Sequence, residues 1–193
     1  KRANKAQADK TFLPDEYLQN EIGLDELSFI IDFVRSNSVD LSCALLLVSL
    51  NLLKKEGILL KIDIHDVIQN RNLLITNKQI KSEISSWFSE MGKGEVREIF
   101  APLLNCDIQK QRDILGFLYQ SLSLEGKKSQ NGSYYTPSNI VGEIVSEFVK
   151  KDSKVLDPCC GTGQFLLAFA DTVENPLNIY GFDIDEMAVK IAR

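Results

Sequence analysis

The sequence predicts an all-α segment followed by the start of an α/β unit built on a parallel sheet. Three observations carry this. Apolar residues recur at three and four over most of residues 24–124. The stretch "EGKKSQNGS", Glu125–Ser133, breaks that pattern with Gly, Ser, Asn and Lys. After it the order becomes helix, strand, helix, strand, helix, the rhythm of parallel strands joined by crossover helices. The expected division is 1–128, with 1–12 a mobile tail, and 129–193.

The helical part reads in order. Leu27, Ile30, Ile31 and Val34 place a stripe on a helix that starts near Leu24. Val39–Lys55 follows, with Leu41, Ala44, Leu45, Val48 and Leu52 on one side and Ser38 or Asp40 as cap. Gly57 ends it. Ile58–Ile64 fits a short strand or the entry to another helix. Asn77–Met91 is helical, with Trp87 and Phe88 at core spacing. Val96–Leu104 and Ile108–Leu124 complete the set. His65, between Asp63 and Asp66, reads as structural or surface. Lys54 and Lys55 read as solvated charges. Lys127 and Lys128 do too, with a phosphate contact as the alternative.

Composition narrows the class. The chain has 193 residues, 44% hydrophobic and 25% charged, which describes a globular protein with one domain and part of another. A net charge of −5 makes no case for a nucleic-acid partner, although a local basic face can hide in an acidic total. Four cysteines without Cys-x-x-Cys, and a single histidine, argue against a metal site. Cys159 and Cys160 are adjacent, which ordinary disulfide geometry disfavours, so a reducing cytoplasm is expected. No apolar run approaches the roughly 18 residues that span a bilayer. The first residue is Lys, and "DEMAVKIAR" closes the chain in a helix pattern without a stop signal, so both ends read as trimmed.

The chemistry lies in residues 132–193. In "YYTPSNIVGEIVSEFVKK", Thr136 suits an N-cap and Pro137 the first helical position. Ile140, Val141, Ile144, Val145, Phe148 and Val149 then make a stripe that covers a sheet. In "SKVLDPCCGTGQFLLAFA", Val155 and Leu156 form a strand that ends at Asp157, Gly161-Thr162-Gly163 form a turn, and Gln164 begins a helix. The dinucleotide fingerprint fails because residue 166 is Leu, and there is no P-loop. Asp157, four residues before Gly161, would repel a pyrophosphate and suit an ammonium. Ile179–Phe182 reads as the second strand, ended by Asp183. That acid stands 22 residues after Gly161, where a carboxylate holds a ribose diol. A ligand with a ribose, an ammonium and no phosphate is S-adenosylmethionine. Ile184 is then placed against its adenine. Asp185 reads as the cap of the last helix.

"YYTP", "DPCCGTGQFL" and "GFDID", in this order and spacing, resemble the N6-adenine DNA methyltransferases of restriction-modification systems. The similarity is closest to type I modification subunits and fused type II enzymes, and it extends over about the last 80 residues, "LGFLYQSL" included. It implies an incomplete Rossmann-like sheet, truncated after its second strand, and S-adenosylmethionine as cofactor. The cofactor-binding set it implies is Tyr135, Thr136, Pro137, Asp157, Pro158, Gly161, Gly163, Asp183 and Ile184. Thr136 and Pro137 would contact the methionine part, Asp157, Gly161 and Gly163 would form the pocket floor, and Asp183 would hold the ribose. It also implies double-stranded DNA, and for type I systems a specificity subunit, as partners. The doubled cysteine departs from the common Ala-Cys, and neither thiol is expected to be catalytic.

The family's [Asn/Asp]-Pro-Pro-[Tyr/Phe] motif, which accepts the adenine amine's protons and stacks the flipped base, is missing. The chain's five prolines, Pro14, Pro102, Pro137, Pro158 and Pro176, are all separated. No catalytic residue is therefore expected in this chain. Two readings remain open: an N-terminal fragment of the enzyme, inactive alone, or a non-catalytic helical assembly or DNA-binding module.

Overall fold

A computed structural model describes residues 24–69, 73–92, 94–108, 113–123 and 136–193. The chain forms two compact units, Ile22–Gln111 and a second that contains Arg112–Arg193.

In the first unit, α1 (Leu24–Ser36) buries the expected Leu27, Ile30, Ile31 and Val34. Helix α2 (Leu41–Lys55) starts at Asp40, whose Oδ1 accepts the N–H groups of Ser42 and Cys43. It stops before Gly57, at φ +69°. Its expected one-sided stripe is wrong: every residue from Cys43 to Asn51 is buried. A helix covered all round is the centre of its unit. Ile58–Ile64 divides between the two readings, with an isolated antiparallel bridge from Leu59 to Ile75 and then α3 (Ile64–Gln69). Asp63 and Asp66 exchange backbone-to-carboxylate bonds at the entry to α3, in the manner of a capping box. His65 Nδ1 lies 3.4 Å from Glu98, and both side chains are exposed. Helix α4 (Lys78–Glu90) is capped by Asn77 and buries Trp87 and Phe88, the indole N–H donating to Ser42 Oγ at 2.7 Å. The expected helix Val96–Leu104 is instead one 3-10 turn, Glu98–Phe100, leading into α5 (Ala101–Asn105) with Pro102 in its first turn.

Lys54 and Lys55 are not merely solvated. Lys54 Nζ donates to the Leu104 carbonyl and to Asn105 Oδ1, both at 3.0 Å. Lys55 reaches Asp107 at 2.6 Å and the Ile108 carbonyl at 2.7 Å. Buried Asn51 donates to the carbonyls of Leu103 and Cys106 at 3.3 and 2.9 Å. The last carbonyls of a helix lack intrahelical partners and carry partial negative charge. The last turns of α2 supply what the end of α5 lacks.

In the second unit, the helix expected over Ile108–Leu124 is shorter: α6 runs Ile114–Leu122. Asp113 sets its start by accepting the Gly116 N–H at 3.1 Å. The expected boundary at 128/129 lies outside the described residues, and α6, which precedes it, groups with the second unit. Then come α7 (Ser138–Phe148), β1 (Val155–Asp157), α8 (Gln164–Thr172), β2 (Ile179–Gly181) and α9 (Glu186–Ala192). The strands pair in parallel, Val155 with Ile179, Leu156 with Tyr180 and Asp157 with Gly181. One face of the sheet is covered. Val141 and Val145 of α7, and Val149 at its C-cap, pack with Phe165 and Phe169 of α8 and with Val155 and Ile179. The rest of the expected stripe, Ile140, Ile144 and Phe148, is exposed. Alternation along the strands turns Leu156 and Tyr180 to the opposite face, where both are exposed. Among the described residues no helix is long and apolar enough to cross a membrane.

Candidate functional site

Parallel pairing puts the C-terminal ends of β1 and β2 on one edge, the edge at which open α/β sheets bind ligands. The turn that follows β1 is tied to the exit of β2. Phe182 donates its N–H to the Asp157 carbonyl and accepts from the Cys160 N–H, both at 2.9 Å. These bonds also explain why β2 ends one residue before the expected Phe182. Gly161 and Gly163 stand at φ +52° and +96°, left-handed values that side chains disfavour. A Cβ on Gly163 would lie 3.2 Å from Ala192 Cβ in α9, whereas one on Gly161 would meet nothing within 4 Å. The turn is packed on its Gly163 side and open over Gly161.

Two carboxylates converge on it. Asp157 Oδ1 accepts the Cys159 N–H at 3.1 Å. Asp183 Oδ2 accepts the Gly161 N–H at 2.7 Å, and its Oδ1 accepts the Asp185 N–H at 2.9 Å. Residues 22 apart in sequence are thus bonded directly. Asp185 caps α9 as expected, with Oδ1 accepting from Met187 and Ala188. Its other oxygen accepts the Tyr119 hydroxyl. Burial, then the bond to Asp185 and its charge, push the Tyr119 phenol above its ordinary value, so it stays a donor.

Cys160 is buried beneath the turn. Burial raises its thiol, and the charges of Asp157 and Asp183 raise it further. A protonated thiol is a poor nucleophile. Its place is in packing: a Cβ on Gly181 would come within 3.0 Å of its Sγ and 2.8 Å of Leu166 Cδ1.

The remaining expected residues sit differently. Thr136 does not cap α7, and Pro137 is not its first helical residue. Pro137 has ψ 139°, an extended value, so it occupies the cap position with no side-chain bond, and the helix begins at Ser138. Its carbonyl accepts the Val141 N–H at 3.1 Å. Among the described residues no hydrogen bond joins Thr136 or Pro137 to the glycine turn. Pro158 is exposed, and Ile184 is 87% exposed. Tyr135, Lys127 and Lys128 lie outside the described residues. Sequence reading missed Asp113, the N-cap of α6, together with Gly116, which abuts Thr162, and Tyr119, which bonds Asp185. Their signal was the spacing of three, which sets an acid, a glycine and a tyrosine along a mostly apolar helix.

The chain's residues 110–193 match the model of the N-6 DNA Methylase family. This chain is 40% identical over 82 residues to the type II methyltransferase M.VspI of Vibrio sp., covering 41% of this chain and 20% of that protein. It is 31% identical over 93 residues to the type I restriction enzyme MjaIX methylase subunit of Methanocaldococcus jannaschii, covering 42% and 16%. The type I restriction enzyme HindI methylase subunit of Haemophilus influenzae is 32% identical over 93 residues, covering 42% and 20%. The chain thus spans no more than about a fifth of the length of these curated relatives. No solved structure gives a significant match.

Proposed function

We propose that this chain belongs to a DNA methyltransferase of a restriction-modification system that moves a methyl group from S-adenosylmethionine to adenine N6. The family match and the names of the relatives support the class. The observation that carries the cofactor reading is the Asp183 carboxylate bonded to the Gly161 N–H at the shared strand edge. The turn is open over Gly161 and flanked by Asp157 and Asp183. Two carboxylates repel a phosphate and suit hydroxyls and an ammonium, so the residues present fit this cofactor.

When bound, S-adenosylmethionine supplies an electrophilic methyl on a sulfonium. In the proposed assignment Asp183 holds the ribose hydroxyls, and Asp157, Pro158, Gly161 and Gly163 floor the pocket. Ile184 faces the adenine, and Tyr135, Thr136 and Pro137 approach the methionine part. Leu156 and Tyr180, exposed on the second face of the sheet, suit a Rossmann-like sheet covered on both sides. The proposed division keeps a helical part before a methylase part and assigns α6 to the latter. The chain has no adjacent prolines and hence no acceptor-side motif, so by itself it transfers no methyl group. Double-stranded DNA, a specificity subunit and a cytoplasmic setting belong to the same proposal. Equilibrium dialysis with labelled S-adenosylmethionine tests it. S-adenosylhomocysteine should displace the label and ATP should not; equal displacement by ATP would overturn the charge argument.

A further inference from the structure

Asp113, the N-cap of α6, and Gly116 and Tyr119 within it are spaced by three, and Gly116 and Tyr119 meet the loops of the candidate site. Tyr119 donates to Asp185 Oδ2 while Asp185 Oδ1 holds the first turn of α9. The Asp185 N–H donates to Asp183, whose other oxygen accepts from Gly161. An unbroken path of bonds therefore runs from the Tyr119 phenol to the glycine turn. Gly116 makes the second contact. A Cβ there would stand 2.6 Å from Thr162 Oγ1 and would clash with the Asp113 carboxylate. Only a glycine lets α6 come this close to Thr162, the buried centre of the turn. Asp113 backs this contact from within its own helix. It is 8% exposed, accepts the Gly116 N–H through Oδ1, and has Oδ2 buried without a hydrogen-bond partner.

We infer that α6 is a clamp for the candidate cofactor site, with Tyr119 and Asp113 as positioning residues that hold the acid loop and the glycine turn in register. Tyr119 fixes Asp185, and through it the carboxylate of Asp183. Asp113 fixes the first turn of α6 against Thr162. Neither needs to touch a ligand. Only the ligand-binding part of this inference rests on the cofactor proposal.

Residue-resolved amide exchange on the ligand-free full chain tests the clamp without any cofactor. Tyr119→Phe removes one hydroxyl. It should speed exchange at Gly161 and Asp185 about fivefold, the weight of one net hydrogen bond, with Val145 and Phe169 unchanged. Asp113→Ala should do the same at Thr162 and Gly163. Asp113→Asn, measured near pH 6 where the carboxyl is protonated, should restore wild-type exchange. Unchanged exchange at the turn, uniform acceleration that includes Val145 and Phe169, or failure of Asp113→Asn to rescue overturns the inference. Titration with S-adenosylmethionine then separates the two claims. A matching fivefold rise in Kd for Tyr119→Phe supports both. Accelerated exchange in a chain whose wild type binds no cofactor supports the clamp and sinks the cofactor proposal.

Discussion

Gly161 and Gly163 both have positive φ but differ in what surrounds them. An alanine in this region costs about 1 kcal/mol in backbone strain. Gly163→Ala also presses a methyl group to within 3.2 Å of Ala192 Cβ. It should therefore lower stability by about 2 kcal/mol or more, against about 1 for Gly161→Ala, in urea titrations of the full chain. Asp113 makes a separate prediction. Burial raises its carboxyl from 3.8 to about 7, and the Gly116 N–H offsets this only in part. The folded state thus keeps a proton that the unfolded state releases. The stability it contributes is fully present below 3.8 and is lost as pH rises through about 7. Urea midpoints should fall between about pH 4 and about pH 7, and Asp113→Asn should flatten that fall.

At the scale of elements, α2 and α5 are joined by polar groups as well as apolar ones. Asn51 is 1% exposed and serves two carbonyls at the end of α5. Asn51→Ala leaves those carbonyls short of donors and should cost about 2 kcal/mol by denaturant titration. Lys55→Ala loses the pair with exposed Asp107 and the bond to the Ile108 carbonyl and should cost about 1 kcal/mol, less than Asn51→Ala. Helices α1 and α4 were legible in the sequence because their periodicity is regular, and Asn77 caps the second. The phase of α2 was not, because the unbroken apolar run Ala44–Val48 favours no side. Pro102 divides 96–105 in a way that apolar spacing does not register. The start of α6 depends on a single side chain, Asp113, and the end of β2 on bonds across the sheet. At the candidate site, Asp157, Gly161 and Asp183 were legible from their spacing. The contribution of α6 was hidden because it depends on a tertiary contact between Gly116 and Thr162.

As a whole molecule, the chain joins a helical unit built around one fully covered helix to a unit with a two-stranded parallel sheet. The second carries the N-6 DNA methylase match, together with a glycine turn and two carboxylates at the strand ends. The central claim is that this turn receives S-adenosylmethionine, with Asp183 as the ribose acceptor. Isothermal titration of the full chain with S-adenosylmethionine, beside its Asp183→Ala variant, tests it most directly. Loss of charge-assisted bonds to the ribose predicts at least about a tenfold weaker Kd for the variant. Equal affinity in the two proteins would contradict the account.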